Sequence, residues 1–269
     1  MRLDWSDLPR GVKDAIQGAV QEWAGPLLAA ETAAEGKNSE IALILTTRTG
    51  KVFVKGRHRD HPGVVSQQRE ASINPHVRHV SPRLLWQADV DGWNLLAFEF
   101  LAGRHADYTP GSPDLPAVVD VIDRLARTPC PAEVPLKRAE QRWGPYVPAP
   151  SLVEHLAGEH LLHTDLNPLN VLIRDHGAQL IDWAWPTRGP AWIDPAVLVI
   201  RLITAGHTPA QAEEWAARTA AWSTAPQRAI DTFAAANAAL WAEIAADDPQ
   251  PFKHQVATST AAWWSYRTR

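Results

Sequence analysis

The sequence predicts an α+β protein in two parts, strand-rich and antiparallel to about residue 101 and mostly helical beyond it. Three observations carry this. Short apolar blocks bounded by turn residues fill the stretch from Ile41 to Leu101. After Ala102-Gly103-Arg104 the patterns become helical. Strands grouped first and helices second point to two lobes with a link near residue 100. At 269 residues the chain is long for one domain, and two lobes sharing one site fit its length. We therefore expect lobes at 1–101 and 102–269.

The first element is a helix over 7–23, with Leu8, Val12, Ile16, Val20 and Trp23 on one face. Pro9 lies in its first turn, and Gly25-Pro26 ends it. A loop at 33–39 leads to strands at Ile41–Thr47 and Lys51–Lys55, joined by Arg48-Thr49-Gly50 as a hairpin. A helix near Val64–Ile73 should stop before Asn74-Pro75, because the residue before proline avoids helical backbone. Leu84–Ala88 and Trp93–Leu101 form a second strand pair turned by Asp91-Gly92. Helical patterns follow at Ala117–Arg127, over much of Pro209–Ala221, and at Gln227–Ala246. Short apolar runs lie between them at Leu161-Leu162, Val171–Ile173 and Gln179–Ile181. The proline-rich piece from Pro129 to Pro150 fits a linker or two short turns of helix.

Composition removes several function classes. A net charge of −4 and a pI of about 6.3 give no basic field for nucleic acid or an anionic membrane. The longest apolar runs, such as Ile41–Leu45 and Leu95–Phe98, fall far short of the roughly 20 residues of a spanning helix. The start, Met-Arg-Leu-Asp-Trp-Ser-Asp, is too acidic for a secretory signal, so a cytoplasmic location is expected. Cys130 is the single cysteine, which excludes a disulfide framework and a cysteine zinc site. His155, His160 and His163 straddle a helix-to-strand change, and a tetrahedral zinc site needs about four convergent ligands. The 13 tryptophans are unusually many and pack in cores or against substrate.

The informative segment is Leu161-Leu-His-Thr-Asp-Leu-Asn-Pro-Leu-Asn-Val-Leu-Ile173, followed by Ala178-Gln-Leu-Ile-Asp-Trp183. If Val171–Ile173 and Ala178–Ile181 pair as a hairpin, Asn170 at its start and Asp182 at its end lie side by side. An amide oxygen and a carboxylate are hard ligands suited to magnesium that also takes phosphate oxygens. Asp165, five residues before Asn170 on a loop, then hangs near the metal without binding it. A base that orients a hydroxyl for in-line attack on a phosphoryl group belongs at such a place.

These residues carry a resemblance. His163-Thr-Asp-Leu-Asn-Pro-Leu-Asn170 resembles the H-x-D-x-x-x-x-N catalytic loop of the protein-kinase-like superfamily. Ile181-Asp182-Trp183 resembles the metal-binding element of its aminoglycoside phosphotransferase and choline kinase branch. The match in order and spacing covers nearly the whole chain. It implies a protein-kinase-like two-lobed fold that moves a phosphoryl group from ATP, with magnesium, to a small-molecule hydroxyl acceptor. By it Asp165 is the catalytic base, Asn170 and Asp182 hold the metal, and His163 supports the loop. Lys55 then holds the α- and β-phosphates and pairs with Glu70. Glu99-Phe-Leu-Ala-Gly103 resembles the hinge whose backbone meets adenine, through Glu99 and Leu101, with Leu172 and Ile181 as apolar contacts to the ring.

Departures from the protein-kinase pattern narrow the class. Only Gly36 stands where those enzymes carry a triple-glycine loop, so Lys37–Ser39 is expected to cap the phosphates through backbone N–H and the Ser39 hydroxyl. Thr164 replaces the usual arginine. Eleven residues between Asp182 and Asp194 are too few for a segment that docks a protein substrate, and Asp194 is expected to be structural. His58-Arg59-Asp60 spells the kinase triplet, but Val65 stands where the asparagine belongs. The acceptor should meet the helices after residue 205, where six acidic residues face five basic ones. A polycationic aminoglycoside would call for an acidic surplus there. Antibiotic phosphorylation, a metabolic kinase and a nucleotide-binding pseudokinase are the competing expectations. A scaffold has no chemical need for Lys55, Asp165, Asn170 and Asp182 together.

Overall fold

A computed structural model describes residues 2–33 and 39–269, which divide into two compact units. One holds the chain up to Ala102 together with Asp182–Ala184; the other holds Gly103–Ile181 and Trp185–Arg269.

The first unit is a five-stranded antiparallel sheet, β1 (Leu27–Thr32), β2 (Ile41–Thr47), β3 (Gly50–His58), β4 (Leu84–Val90) and β5 (Trp93–Glu99), in the order β1-β2-β3-β5-β4. Helix α1 (Arg10–Ala24) lays Val12, Ile16 and Val20 into a core with Leu43, Leu45, Val54 and Leu95. Pro9 caps this helix instead of sitting in its first turn, and Trp23 is 55% exposed, so the apolar face ends at Val20. Strand β1 carried no period-two signal, because it is an edge strand with mostly exposed or half-buried side chains. The β4–β5 turn places Asp91 and Gly92 at φ 47° and 80°, the left-handed pair that a tight hairpin demands.

Helix α2 (Val64–Val77) runs through Asn74-Pro75, against the expected stop. The compensation is local. Asn74 is buried, donates from Nδ2 to the Pro82 carbonyl and accepts from the Leu84 N–H on Oδ1. Both of its amide groups are satisfied where a proline weakens the helix near its end. Strand β3 also runs past Lys55 through Gly56, where a Cβ would lie 2.7 Å from a Leu95 methyl and would have to displace it.

The second unit opens with β6 (Arg104–His105), α3 (Leu115–Leu125), β7 (Lys137–Arg138), α4 (Ala139–Trp143) and β8 (His160–Leu162). Short helical turns therefore occupy part of the proline-rich piece. Strands β9 (Val171–Arg174) and β10 (Gly177–Leu180) form the expected hairpin beside β6, while β11 (Thr187–Gly189) lies between β7 and β8. Helices α5 (Ile193–Thr204), α6 (Pro209–Ala216), α7 (Ala220–Ser223), α8 (Gln227–Asp247) and α9 (Pro251–Arg267) complete it. Helix α5 leaves no periodic signal in the sequence because it is apolar on nearly every side, as a helix buried all round must be. Arg267 on α9 ties the last helix to Glu213 on α6 and Asp231 on α8. Trp222 and Trp263 are buried, whereas Trp241 and Trp264 are half-buried. Among the described residues, no helix is long and apolar enough to cross a membrane.

Candidate active site

In the first unit three residues far apart in sequence meet around one ammonium. Lys55, near the middle of β3, pairs with the Glu70 carboxylate from α2 and lies 3.2 Å from Asp182 Oδ1. Their side chains are 9%, 6% and 27% exposed. A lysine this deep survives as a cation only because it is paired. Burial by itself would depress its pKa, but the charges and hydrogen bonds of Glu70 and Asp182 outweigh that and raise it. Phe98 presents its ring 5.7 Å from the ammonium. Asp182 has φ 59°, an uncommon conformation for a non-glycine residue, and Trp183 beside it is buried with Nε1 donating to Ser81 Oγ.

In the second unit the loop after β8 is held from several sides. The Asp194 carboxylate, 2% exposed, accepts from the His163 N–H at 2.9 Å and the Thr164 N–H at 2.8 Å. Thr164 has φ 63°, a strained conformation for a β-branched residue. Its hydroxyl donates to the Trp185 carbonyl and accepts from Arg142 Nη1. Arg142 also donates to Thr187 Oγ1, and burial pulls its pKa down to about 10. His163 Nδ1 accepts from the Asp165 N–H, which leaves Nε2 to donate to the Ile181 carbonyl. Asn170 Nδ2 donates to both the carbonyl and Oδ2 of Asp165. Arg201 Nη2 donates to Asp165 Oδ1 at 2.9 Å.

The two charged residues of α5 therefore act on one loop. Asp194 and Arg201 are seven residues apart, two helical turns on a single face, and reach the loop at His163-Thr164 and at Asp165. Asp194 takes the expected structural part, whereas Arg201, Arg142 and Tyr108 belong to no motif in the sequence. For Arg201 a signal existed: it is the one cation inside an otherwise apolar run.

The hairpin register differs by one residue from the expected neighbours. Val171 faces Leu180, and the Ile181 N–H donates to the Asn170 carbonyl, so Ile181 rather than Asp182 stands opposite Asn170. Pleat alternation puts Leu172 and Ile181 on the face opposite to buried Val171 and Leu180. Glu99 ends β5, and its N–H is committed to the Arg83 carbonyl while its carboxylate pairs with the Arg83 guanidinium. That leaves the Glu99 carbonyl and the backbone of half-buried Leu101 for any ligand contact. Ser39 is half-buried just ahead of β2, whereas Gly36, Lys37 and Asn38 lie outside the described residues.

No protein-family model and no curated protein matches the sequence. The structure, by contrast, matches solved ones over almost its whole length. A choline kinase, LicA from Streptococcus pneumoniae, superposes with a TM-score of 0.60 at 13% identity, over 95% of this chain and 99% of that one. A thermostable mutant of aminoglycoside phosphotransferase APH(4)-Ia, in ternary complex with AMP-PNP and hygromycin B, gives 0.60 at 13% identity, over 92% and 98%. Macrolide 2'-phosphotransferase MphH from Brachybacterium faecium gives 0.54 at 17% identity, over 92% and 98%. This chain has the kinase-like phosphotransferase fold. Identity this low establishes the architecture, an antiparallel sheet followed by a mostly helical part, and the chemistry must be argued from the side chains.

Proposed function

We propose that the chain is a small-molecule kinase that moves the γ-phosphoryl group of ATP to an acceptor hydroxyl, with Asp165 as the base. The observation that carries this reading is the buried ammonium of Lys55 between Glu70 and Asp182. Such a pairing serves no purpose in packing, since apolar residues of similar volume would be as stable or more so. It is the arrangement needed to keep a lysine charged and aimed where nucleotide phosphates are held. Asp165, fixed by Asn170 and Arg201 and 25% exposed, has the reach and charge to orient a hydroxyl.

Magnesium and ATP fit the donor chemistry. Asp182 offers a carboxylate, and Asn170, which spends its Nδ2 on Asp165, presents an amide oxygen. Magnesium held there would neutralise charge developing on the phosphates. Ser39 is proposed to help cap those phosphates. Glu99 and Leu101 are proposed to meet adenine through their backbones, and Leu172 and Ile181 through their side chains. The lobes at 1–101 and 102–269, magnesium dependence and a cytoplasmic location belong to the same proposal. Two acceptor classes suit the fold, antibiotics and metabolic alcohols, and a host resistance assay against an antibiotic panel separates them.

The deciding experiment is magnesium-dependent ATP turnover with a mixed acceptor library, using Asp165→Ala as the blank. Acceptor-stimulated ADP release should fall by at least about a hundredfold in the blank, as a positioned acid–base group contributes ~10²–10⁴. Near-wild-type turnover in folded Asp165→Ala protein would sink the assignment. ATP binding without turnover on any acceptor would favour a pseudokinase.

A further inference from the structure

Helix α2 buries a polar face. Of its five buried residues, Gln67, Glu70 and Asn74 are polar, and only Ile73 and Val77 are apolar. The three polar residues stand at i, i+3 and i+7, one stripe of the helix, and are 3%, 4% and 1% exposed. Asn74 is spent on the Pro82 carbonyl and the Leu84 N–H. Gln67 Nε2 donates to the Asn94 carbonyl and to Asn94 Oδ1, both at 2.7 Å, and Asn94 Nδ2 donates in turn to Asp89 Oδ1. Gln67 Oε1 has no partner among the described residues. Apolar side chains at these positions would carry no such cost, so stability does not explain the amides.

The amides give the helix a direction. Asn94 lies two residues from Leu96, which pairs with Lys55 across the ladder, so Asn94 and Lys55 share one face of the sheet. Gln67 thus ties α2 to the face that carries the lysine, while Asn74 fixes the other end of the helix to the chain entering β4. Glu70 lies between these two clamps and pairs with Lys55. It also accepts from the Trp183 N–H, next to Asp182. A rotation of α2 by one residue, about 100°, would carry Glu70 away from Lys55 and leave the Gln67 and Asn74 amides buried without partners. Local chemistry does little to set this register: Gly63 caps α2 without a side-chain hydrogen bond, and Pro75 lies in its last turn.

We propose that Gln67, acting through Asn94, and Asn74 are positioning residues that hold α2 in one register, so that Glu70 stands on Lys55 before any nucleotide arrives. The inference deepens the kinase reading above and rests on it. A kinase built this way needs no partner or modification to bring its glutamate to its lysine.

Magnesium–ATP affinity of the wild type, measured by calorimetry, comes first; absence of binding overturns the kinase reading and with it the inference. The paired variant Gln67→Leu with Asn94→Leu then removes donor and acceptor side chains together, a replacement that can leave stability nearly unchanged. Its unfolding midpoint should stay near the wild type's while magnesium–ATP binds roughly tenfold more weakly, the scale of one hydrogen bond to a charged group. In a Glu70→Gln background the same pair should change affinity by less than about twofold, because it acts through Glu70. A merely structural role would lower affinity equally in both backgrounds. Wild-type affinity in the folded paired variant, or a loss undiminished in Glu70→Gln, overturns the proposal while leaving the kinase reading intact. If the paired variant does not fold, hydrogen exchange on the wild type decides. Magnesium–ATP should then slow exchange in α2 no more than in β2. A gain confined to α2 would mean that nucleotide sets the register, and it would overturn the proposal.

Discussion

Replacing Asp194 by alanine tests how the loop at His163–Asp165 is held. The carboxylate is 2% exposed and its oxygens accept one backbone N–H each, at 2.9 and 2.8 Å. Alanine leaves both N–H groups buried without a partner, and each such group costs about 1–3 kcal/mol. The loss is roughly 2–6 kcal/mol before relaxation. Thr164, left-handed at φ 63°, would recover part of it, since a strained backbone of this kind stores about 1–3 kcal/mol. A net destabilisation of about 2–4 kcal/mol follows, within the ~5–15 kcal/mol by which a protein of this kind is stable. Asp194→Asn should cost less, because the amide keeps one acceptor oxygen while turning N–H against N–H at the other. The assay is urea unfolding, read as a shift in midpoint at constant m. Relaxation of Thr164 would carry Asp165 with it, so turnover should fall further than the folded fraction does. A loss below about 0.5 kcal/mol, the range of a neutral surface change, with unchanged turnover would refute the reasoning.

Three further outcomes are expected. Lys55→Met strands Glu70 beside Asp182 and should destabilise by about 3–5 kcal/mol, as removing one partner of a buried pair does. The double variant Lys55→Met with Glu70→Leu should recover much of that loss in a double-mutant cycle, and full additivity would argue against the pairing. Asp182→Ala should abolish magnesium-dependent nucleotide binding; unchanged ATP affinity with magnesium present would count against its metal role. Asp114, buried and bonded by both Arg104 Nη atoms and the Asp107 N–H, has its pKa held below 3.8 chiefly by the Arg104 hydrogen bonds. A depressed carboxylate contributes stability in full above its unfolded pKa and loses it as pH falls through the folded value. The stability gap between wild type and Asp114→Asn should therefore be constant above about pH 5 and shrink in acid; a gap that widens in acid would reverse the assignment.

Local chemistry made much of this protein legible in its sequence. Strand β2 has the expected limits, and α8 misses them by one residue, because alternation and a continuous helical stretch bounded by proline are local properties. The β9–β10 hairpin and the Asp91-Gly92 turn followed from turn chemistry. The spacing from His163 to Asn170 and the Asp182-Trp183 pair likewise marked the loop and the residue that meets Lys55, since the hydrogen bonds within 163–170 span only a few residues. Tertiary structure decided the rest. Only packing could continue α2 through Pro75, because the compensating partners of Asn74 lie eight and ten residues away. The buried helix α5 lost its periodicity by being apolar on nearly every side, and with it the sign that Asp194 and Arg201 share a face. That Arg201 bonds Asp165, 36 residues distant, and that the Tyr108 hydroxyl is buried unpaired among the described residues are facts of long-range placement. Residue type and spacing record which groups are available for the proposed phosphoryl transfer, but the charge surrounding them depends on chain segments that only folding brings together.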